Sequence, residues 1–386
     1  MIISIIAAAW WVSALGVFLL SAVCVLLQPS IQRRRTARRD QPPVSVILPV
    51  KLVNPGFERA QASAFKQDYP SYEVLISAAE TESSALAIMQ RLAGQSAIPA
   101  RILHSRETAA VSPKLNTMTP SFAAARHDFL LTKDSNITFA PDTISNLMES
   151  FGPGVGLVCA VPVALRPETL AGMIEATLIN RDARLLLTTS AFGKGFGVGK
   201  VMLFRRSDLE RAGGVSVLAH TIAEDSALQK GMATIGLKTV FAGVPVDQEI
   251  GARRLRDVYD RQARWAAIRR MEVPISFPFE PIACALPAAI AGGLAAPLIG
   301  LSAMDGFGLT ITGYILAEVG VSVCKRWTIS PWAPVAFLAR DVILLAAWAA
   351  AWTTREVVWA GQRKVVHAPR GRKCKTPVSA EGVKLP

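Results

Sequence analysis

The chain has 386 residues, of which 51% are hydrophobic, and it carries a formal net charge of +13. This length has room for one sizeable soluble domain plus membrane segments, and the hydrophobic fraction is high for a purely soluble protein. The charge does not indicate a nucleic-acid partner, because the Lys and Arg residues cluster after the first apolar segment and in the tail 355–384, without any zinc-finger or RNP-like pattern. The cysteines and histidines lack the spacing of a disulfide framework or a zinc site.

The first apolar segment predicts a membrane anchor. No charged residue occurs from Ile2 to Gln28, and at about 1.5 Å per residue such a helix is longer than the ~30 Å hydrocarbon core. A cleaved signal peptide would have basic residues before the apolar run, whereas the arginines at 33–35 and 38–39 follow it. We therefore predict an uncleaved anchor over 1–30, with the arginines keeping the next domain in the cytoplasm.

From about residue 40, apolar runs alternate with helical patterns. The predicted strands lie at 44–50, 73–78, 101–105 and 129–132. The predicted helices between them lie at 55–66, from about 80 to 93, and at 114–125. Such alternation forms right-handed crossover units and a parallel sheet, whose ligands bind beyond the carboxyl ends of the strands. Asp134 lies at such an end.

The pattern continues less regularly to about residue 242. The predicted strands are 156–163, 201–204 and 238–242, and the predicted helices are 168–187 and 223–235. Between them, residues 191–200 (AFGKGFGVGK) are rich in glycine but match neither the P-loop nor the dinucleotide-binding fingerprint. We interpret this loop as a flexible wall of the site.

Three apolar segments after Pro281 predict a membrane region at 281–354, followed by a basic tail at 355–386. The segments are 282–303, 307–324 and 333–352. Three full crossings would export a tail in which Lys and Arg far outnumber the acids, against the positive-inside bias. The first segment contains Pro287 and Pro297, so we predict that it re-enters the cytoplasmic leaflet, helps to form a lipid entrance, and leaves the tail cytoplasmic.

Three polar clusters lie between the two apolar regions. They are Asp134-Ser135-Asn136, Glu224-Asp225 and Arg261–Trp265 (RQARW). An acid at a strand end can hold Mg²⁺ or Mn²⁺ on a diphosphate, and a second acid can take a proton from an acceptor hydroxyl. Paired guanidiniums match the leaving phosphates. This order of clusters indicates a transferase that uses a nucleotide sugar.

Each cluster taken alone also has a simpler interpretation. Asp-Ser-Asn is common in an Asx-turn, acids favour the first turn of a helix, and a basic segment with a Trp suits an interfacial helix. The combination in this order favours the chemical interpretation.

With these clusters, the sequence resembles the ceramide glucosyltransferase family, a membrane-bound branch of the inverting GT-A transferases. The matching stretches run almost continuously from 44 to about 282 and are VSVILPVK, FKQDYPSYEVLI, SPKLNTM, KDSNITFAPDTI, GLVCAVPV, VGKVMLFRRSDLERAGG, AEDSALQKG, RQARWAAIRR and FEPI. The resemblance implies a Rossmann-like α/β catalytic domain of GT-A type at 40–280, with a mostly parallel sheet, between N-terminal and C-terminal transmembrane helices.

The resemblance also implies roles for individual residues. Asp134 and Asn136 are the expected ligands of Mg²⁺ or Mn²⁺, and Asp225 is the expected catalytic base. The expected substrate- and nucleotide-binding residues are Glu80, Lys114, Asn116, Glu224, Arg261, Arg264 and Trp265. Two positions depart from the usual patterns. The family usually has Asp where this chain has Glu80, and the strict D-x-D motif has its second Asp where this chain has Asn136, a position at which the family tolerates change.

The function expected from these features is transfer of glucose, or a related hexose, from a UDP-sugar to a lipid hydroxyl with inversion. Ceramide and diacylglycerol are the expected acceptors, at the cytoplasmic face of an inner (plasma) membrane. A hopanoid-type lipid is an alternative acceptor. A processive polysaccharide synthase is the alternative enzyme, although three short C-terminal segments offer few helices for a channel. A non-catalytic membrane scaffold is the alternative of a different class.

Overall fold

The computed structural model describes the backbone of residues 1–33, 40–354, 356–359 and 362–365, and the side chains within 1–28 and 40–354. The predicted arginine cluster after the first helix and most of the predicted basic tail, 355–386, lie outside the described residues.

The strands of the described residues form three sheets. In chain order they are β1 (Val44–Val50), β2 (Tyr72–Ala78), β3 (Ala100–His104), β4 (Phe129–Lys133), β5 (Ile137–Thr138), β6 (Val155–Cys159), β7 (Pro162–Pro167), β8 (Val201–Arg205), β9 (Lys238–Phe241), β10 (Val246–Gly251), β11 (Glu356–Trp359) and β12 (Gln362–Val365). The main sheet has seven strands in the order β3-β2-β1-β4-β8-β6-β9, and a second sheet has the order β5-β10-β7. Strands β11 and β12 pair with each other.

The helices lie before and between these strands. In chain order they are α1 (Ile2–Arg33), α2 (Phe57–Ala62), α3 (Ser84–Gly94), α4 (Pro113–Ala124), α5 (Thr143–Glu149), α6 (Leu170–Ala191), α7 (Arg206–Arg211), α8 (Glu224–Thr234), α9 (Leu255–Glu272), α10 (Ala285–Ala295), α11 (Ala303–Lys325) and α12 (Ala333–Ala351). Several starts are explained by local capping: Ser112 accepts a hydrogen bond from the Leu115 N–H, and Pro113 occupies the first turn of α4.

The main sheet is mostly parallel, as predicted, and it forms the α/β core that the resemblance to GT-A transferases implies. Strands β3, β2, β1 and β4 are all parallel. Both faces are covered, which is why neighbouring residues such as Val46 and Ile47 are both fully buried. Strand β8 is antiparallel to β4 and β6. Because of this reversal, which periodicity does not reveal, β8 begins beside the carboxyl end of β4.

One predicted strand is wrong in the structure. The run at 156–163 is divided into β6, in the main sheet, and β7, in the second sheet. The residues between them, Ala160 and Val161, are fully buried. Because the run is apolar throughout, its pattern contains no sign of the break. The second sheet, in which β7 pairs with β10, was therefore not anticipated.

Among the residues that the structure describes, three helices are long and apolar enough to cross a membrane: Ile2–Gln28 within α1, then α11 and α12. The segment predicted to re-enter the membrane is broken. A 3₁₀ turn at Phe277–Ala283 meets the helical stretch Ala285–Ile299 at an angle of 74°. Small residues let α10 pack closely on α11, since a Cβ at Gly306 would lie only 2.6 Å from the Gly292 carbonyl oxygen.

Helices α10–α12 lie in the predicted membrane region 281–354 and are together called the membrane block. The buried charged side chains of α11 and α12 are paired with one another. Arg340 of α12 is 1% exposed and donates to Glu318 of α11 at 2.6 Å and to Asp341 at 2.9 Å. Arg184, on α6 of the catalytic domain, contacts the same Glu318 at 3.6 Å and donates to Ser21 of α1. Paired charges of this kind are tolerated between membrane helices. The network joins the catalytic domain to the membrane block.

Candidate active site

Four segments meet beyond the carboxyl end of β4: the turn after β4, the first turn of α4, the end of the glycine-rich loop, and the first turn of α8. The antiparallel pairing of β4 with β8 aligns Lys133 with Val201. Asp134, which follows β4, therefore lies beside Lys200, which precedes β8, and the Asp134 N–H donates to the Lys200 carbonyl at 2.9 Å. The glycine-rich loop thus forms one wall of the site.

The Asp134 carboxylate is held between two ammonium groups. Lys114 Nζ lies 2.7 Å from Oδ1, and Lys200 Nζ lies 3.0 Å from Oδ2. Burial alone would raise the pKa of Asp134, but the two lysines outweigh it and lower that pKa to about 2. Asp134 is therefore a permanent anion at any physiological pH.

Lys114 is the electrostatic centre of the cluster. In addition to Asp134, its Nζ contacts Glu224 Oε1 at 3.3 Å and donates to the Gly199 carbonyl at 2.5 Å. Burial disfavours its charge, but the two carboxylates outweigh burial and raise the pKa of Lys114 above its usual value. Since all of these partners belong to the protein, Lys114 is fixed in place.

Glu224 supports this lysine from α8. It is 6% exposed, and its second oxygen, Oε2, accepts from the Ser112 hydroxyl at 3.1 Å. The same hydroxyl caps α4. The start of α4 and the start of α8 are thus joined through one serine and one lysine. In this arrangement Glu224 positions Lys114, and the predicted contact of Glu224 with substrate stays a prediction.

Asp225 is half-buried in a different environment, against backbone N–H groups. Its Oδ2 accepts from the Gly199 N–H at 2.7 Å, and its Oδ1 accepts from the Ser226 N–H at 2.8 Å. Burial and then the neighbouring Glu224 raise the pKa of Asp225 to about 6, although Ser226, Lys114 and Gly199 oppose the shift. A carboxylate with this pKa is suited to accept a proton near neutral pH.

The glycines of the loop allow it to approach Asp225 this closely. A Cβ at Gly197 would overlap the Asp225 carbonyl oxygen. The Gly197 N–H also donates to the Gln229 side chain at 2.7 Å. The loop is therefore packed on the first turn of α8.

The two predicted asparagines use their side chains within the protein. Asn116 accepts from the Ala110 N–H at 2.8 Å and donates to the Ala110 carbonyl at 2.9 Å, which organises the loop before α4. Asn136 Oδ1 accepts from Lys200 Nζ at 3.4 Å. Asn136 is thus part of the cluster around Asp134, whereas Asn116 fixes the loop that precedes α4 and Lys114.

Glu80 lies on the same edge of the sheet but outside this cluster. It is exposed, two residues beyond the end of β2. Because β2, β1 and β4 are adjacent and parallel, their carboxyl ends are separated by strand spacings of about 4.8 Å, which places β2 about 10 Å from β4. That distance suits opposite ends of one nucleotide.

The predicted RQARW element lies on α9, which packs against the start of α8. Ile222 contacts Ala267, and the Ser226 hydroxyl donates to Glu272 at 2.7 Å. Arg261 is paired with Glu175 of α6, and burial followed by the charge of Arg264 lowers the pKa of Arg261 to about 10.

Glu175 is an unpredicted partner of the element. It is 1% exposed and also accepts from Arg253 at 2.7 Å. Arg264 and Trp265 are partly buried on the same helix. Sequence reasoning did not find Glu175, because its pairing partner is 86 residues away.

The sequence profile described as Glycosyl transferase family 21 matches residues 7–371. The chain belongs to this family. The match extends over the anchor, the catalytic domain and the membrane block, so this family 21 glycosyltransferase is an enzyme of membrane-associated architecture. The expected family and fold class are confirmed.

The family 21 chain is similar to curated proteins and to solved structures. It is 26% identical to ceramide glucosyltransferase 1 of Caenorhabditis elegans over 62% of this chain and 53% of that protein. It is 24% identical to the ceramide glucosyltransferase of Komagataella phaffii over 55% of this chain and 46% of that protein. The chain thus spans about half the length of the curated relatives it matches.

Solved structures are similar at a lower level. The mannosyltransferase PcManGT from Pyrobaculum calidifontis, in complex with GDP-Man and Mn²⁺, is 18% identical with a TM-score of 0.48 and covers 89% of this chain and 99% of its own. Glucosyl-3-phosphoglycerate synthase from Mycobacterium tuberculosis is 15% identical with a TM-score of 0.38, covering 64% and 83%. The family match, and not these similarities, carries the assignment.

Two further site residues of this family 21 protein were missed, Ser112 and Lys200. Both adjoin predicted positions: Ser112 precedes Lys114 by two residues, and Lys200 ends the glycine-rich loop. The loop was recognised as part of the site, but its lysine was not. Lys200 is 66 positions from Asp134 in the sequence, and only the pairing of β4 with β8 brings the two together.

Proposed function

We propose that this family 21 enzyme transfers a hexose from a UDP-sugar to the hydroxyl group of a membrane lipid, with inversion at the anomeric carbon. The observation that carries the proposal is the pairing, in one cluster, of a permanently ionised Asp134 with an Asp225 whose pKa is about 6. The names of the curated relatives make glucose and ceramide the first donor sugar and acceptor to test. Diacylglycerol and hopanoid-type lipids are the next acceptors.

In this mechanism Asp225 acts as the general base. The lipid hydroxyl oxygen forms a bond to the anomeric carbon while the bond from that carbon to the diphosphate oxygen breaks on the opposite face. The hydroxyl proton passes to the Asp225 carboxylate, and UDP leaves with the electron pair. The Gly199 N–H, 2.7 Å from Oδ2, orients the carboxylate. Proton acceptance by a positioned base contributes about 10²–10⁴ in rate.

A divalent metal fits the oxygen donors at Asp134 and Asn136. Mg²⁺ and Mn²⁺ bind hard oxygen ligands, and Mg²⁺ is commonly held by one or two carboxylates together with substrate phosphates. The part of the chain that the structure describes has no cluster of three or more His, Cys, Asp or Glu residues able to hold a metal. Asp134, helped by Asn136, would therefore hold the ion jointly with the diphosphate. When bound, the ion supplies charge neutralisation for the leaving group.

The apolar surface that follows α9 in the chain supports the proposal that a lipid acceptor reaches the site from the membrane. After α9 the chain exposes Ile275 (88%) and Phe279 (60%), and Phe277 packs against Trp348 and Trp352 of the membrane block. Apolar and aromatic residues of this kind are typical of the membrane–water interface. The 74° break at 283–285 follows directly, which supports a re-entrant segment that opens toward the active site.

The same features support an orientation with an even number of crossings after the catalytic domain. If 277–299 re-enters one leaflet, α11 and α12 cross out and back, and the catalytic domain and the basic tail share one side. The positive-inside bias then favours the cytoplasm for both.

The function is tested by analysing lipid products. Membranes containing the full chain are supplied with UDP-glucose and, in separate reactions, ceramide or diacylglycerol, and lipids are identified by mass spectrometry. We expect a lipid carrying one hexose, absent in Asp225→Asn membranes. A long glycan would instead indicate the processive synthase, and the absence of any product with every UDP-sugar and acceptor tried would indicate the scaffold.

A further inference from the structure

Lys200 lies where a divalent cation would bind. Its Nζ is 3.0 Å from Asp134 Oδ2 and 3.4 Å from Asn136 Oδ1, the two side chains that form the metal-type motif after β4. A metal on these oxygens would lie about 2.1 Å from each. An ammonium and a dication cannot share such positions, because they repel at that separation. Lys200 and the metal therefore compete for the same two oxygens.

The two lysines of the cluster are not equivalent. Lys114 has three protein partners, Asp134, Glu224 and the Gly199 carbonyl. Among the residues that the structure describes, the Lys200 ammonium contacts only Asp134 and Asn136, the two side chains that a metal would use. Its side chain is 21% exposed, and it ends a glycine-rich loop. Lys200 is the ammonium that can move, and Lys114 is the one that is fixed.

Charge balance gives a reason for such a movement. Asp134, Glu224 and Asp225 carry three formal negative charges, and Lys114 and Lys200 are the ammonium groups placed against them. The Lys133 ammonium donates to the Asp134 backbone carbonyl at 3.5 Å and, among the described residues, forms no ion pair with the carboxylate. The carboxylate cluster thus has no spare positive charge for an incoming diphosphate. A metal that takes over Asp134 adds two charges and releases a third, on Lys200.

We infer that Lys200 is a mobile counter-cation that occupies Asp134 and Asn136 until the metal binds, and then contacts the donor diphosphate. This inference rests on the proposed function, since it requires a nucleoside diphosphate donor. It adds a diphosphate-binding residue and a physical link between the metal and the donor. Displacing Lys200 from Asp134 weakens metal binding, and the contact of the released ammonium with phosphate offsets this loss. Metal and donor should therefore bind cooperatively, each strengthening the other by the same factor.

The test measures binding, independently of turnover. The full chain in detergent micelles is titrated with Mn²⁺ alone, with Mn²⁺ at saturating UDP, and with UDP at saturating Mn²⁺, using calorimetry and the loss of the free Mn²⁺ spin-resonance signal. In Lys200→Met we expect Mn²⁺ alone to bind about tenfold more tightly, because the competitor is gone, and UDP at saturating Mn²⁺ to bind about tenfold more weakly, because a charge-assisted contact is lost. The opposite signs distinguish this role from general damage to the site.

Two variants serve as controls. Lys200→Arg retains the cation and should keep both affinities near those of the wild type. Lys194→Met removes an exposed lysine from the same loop and should change neither. Thermal unfolding of all variants verifies that each is folded.

The possible outcomes are distinct. Equal Mn²⁺ and UDP affinities in Lys200→Met and Lys194→Met would overturn the inference, as would weaker binding of Mn²⁺ alone in Lys200→Met. Both of those results leave the proposed function intact, because the wild type still binds UDP with Mn²⁺. If the wild type binds no UDP at any Mn²⁺ concentration, the donor assignment is wrong and the inference fails with it.

Discussion

Asp134 and Asp225 are two half-buried aspartates of one cluster, and their environments have opposite effects on their pKa values. Two ammonium groups lower the pKa of Asp134 to about 2, whereas burial and the adjacent Glu224 raise the pKa of Asp225 to about 6. Asp134 follows a strand and lies between Lys114, in the first turn of α4, and Lys200, at the end of the glycine-rich loop. Asp225, in the first turn of α8, accepts from backbone N–H groups. Partner type, more than burial, thus separates a carboxylate suited to hold cations from one suited to accept a proton.

The largest effect is expected at the cation-binding end of this comparison. Asp134→Ala should reduce activity below detection and weaken UDP binding in the presence of Mn²⁺, because metal and diphosphate lose their shared ligand while Lys114 and Lys200 lose their anchor. Turnover and UDP calorimetry check this. Asp142→Ala, which removes an exposed acid in the next loop, is the matched control and should behave as the wild type. A wild-type enzyme that stays fully active in EDTA would require another role for Asp134.

The second-largest effect is expected at Asp225, and it distinguishes the proposed base from the proposed metal ligand Asp134. Asp225→Asn should lower kcat by about 10²–10⁴ while the affinity for UDP stays similar, because the amide keeps the shape but cannot take the proton. Single-turnover kinetics and UDP titration measure the two quantities. Asp257→Asn changes an exposed acid in the first turn of α9 and should have little effect. Near-normal turnover in Asp225→Asn would remove the base assignment.

A smaller effect follows from the pKa difference itself. Only ionised Asp225 can accept the proton, so kcat/KM should fall about tenfold for each pH unit below about 6. Asp134, with a pKa of about 2, stays ionised through that range and cannot cause the fall. The residual activity of Asp225→Asn should lack this acid limb. A limb that persists in the variant would assign it to a different group.

The predictable part of this site is the part written in local sequence. Residues 44–50 and 129–132 were recognised as strands because their nearly continuous apolar runs end at polar residues. The position of Asp134 followed directly. Asp225 was found by its motif at a helix start.

The part of the site that the sequence did not predict depends on pairing between distant segments. Lys200 reaches Asp134 only because β8 runs antiparallel to β4, and Arg261 meets Glu175 across 86 residues. The run at 156–163 crosses from one sheet to another without any change in composition. No local pattern specifies these contacts, which arise when the sheets assemble.

The smallest expected effect lies at the far edge of the sheet, where Glu80 departs from the family's usual Asp. Glu80 is exposed beyond β2, about two strand spacings, or about 10 Å, from the end of β4. If it binds the nucleoside, Glu80→Ala should raise KM for the UDP-sugar by about tenfold with little change in kcat, as loss of uniform binding does. Glu80→Asp should be tolerated, because the charge remains.

Steady-state kinetics with varied donor concentration measure the Glu80 effect. Glu82→Ala, a second exposed acid two residues further along, is the matched control. An unchanged KM in Glu80→Ala would make Glu80 a surface residue and confine donor recognition to the cluster around Asp134. A loss of kcat without a change in KM would instead link this edge to the reacting atoms, which a distance of about two strand spacings makes difficult to explain by direct contact.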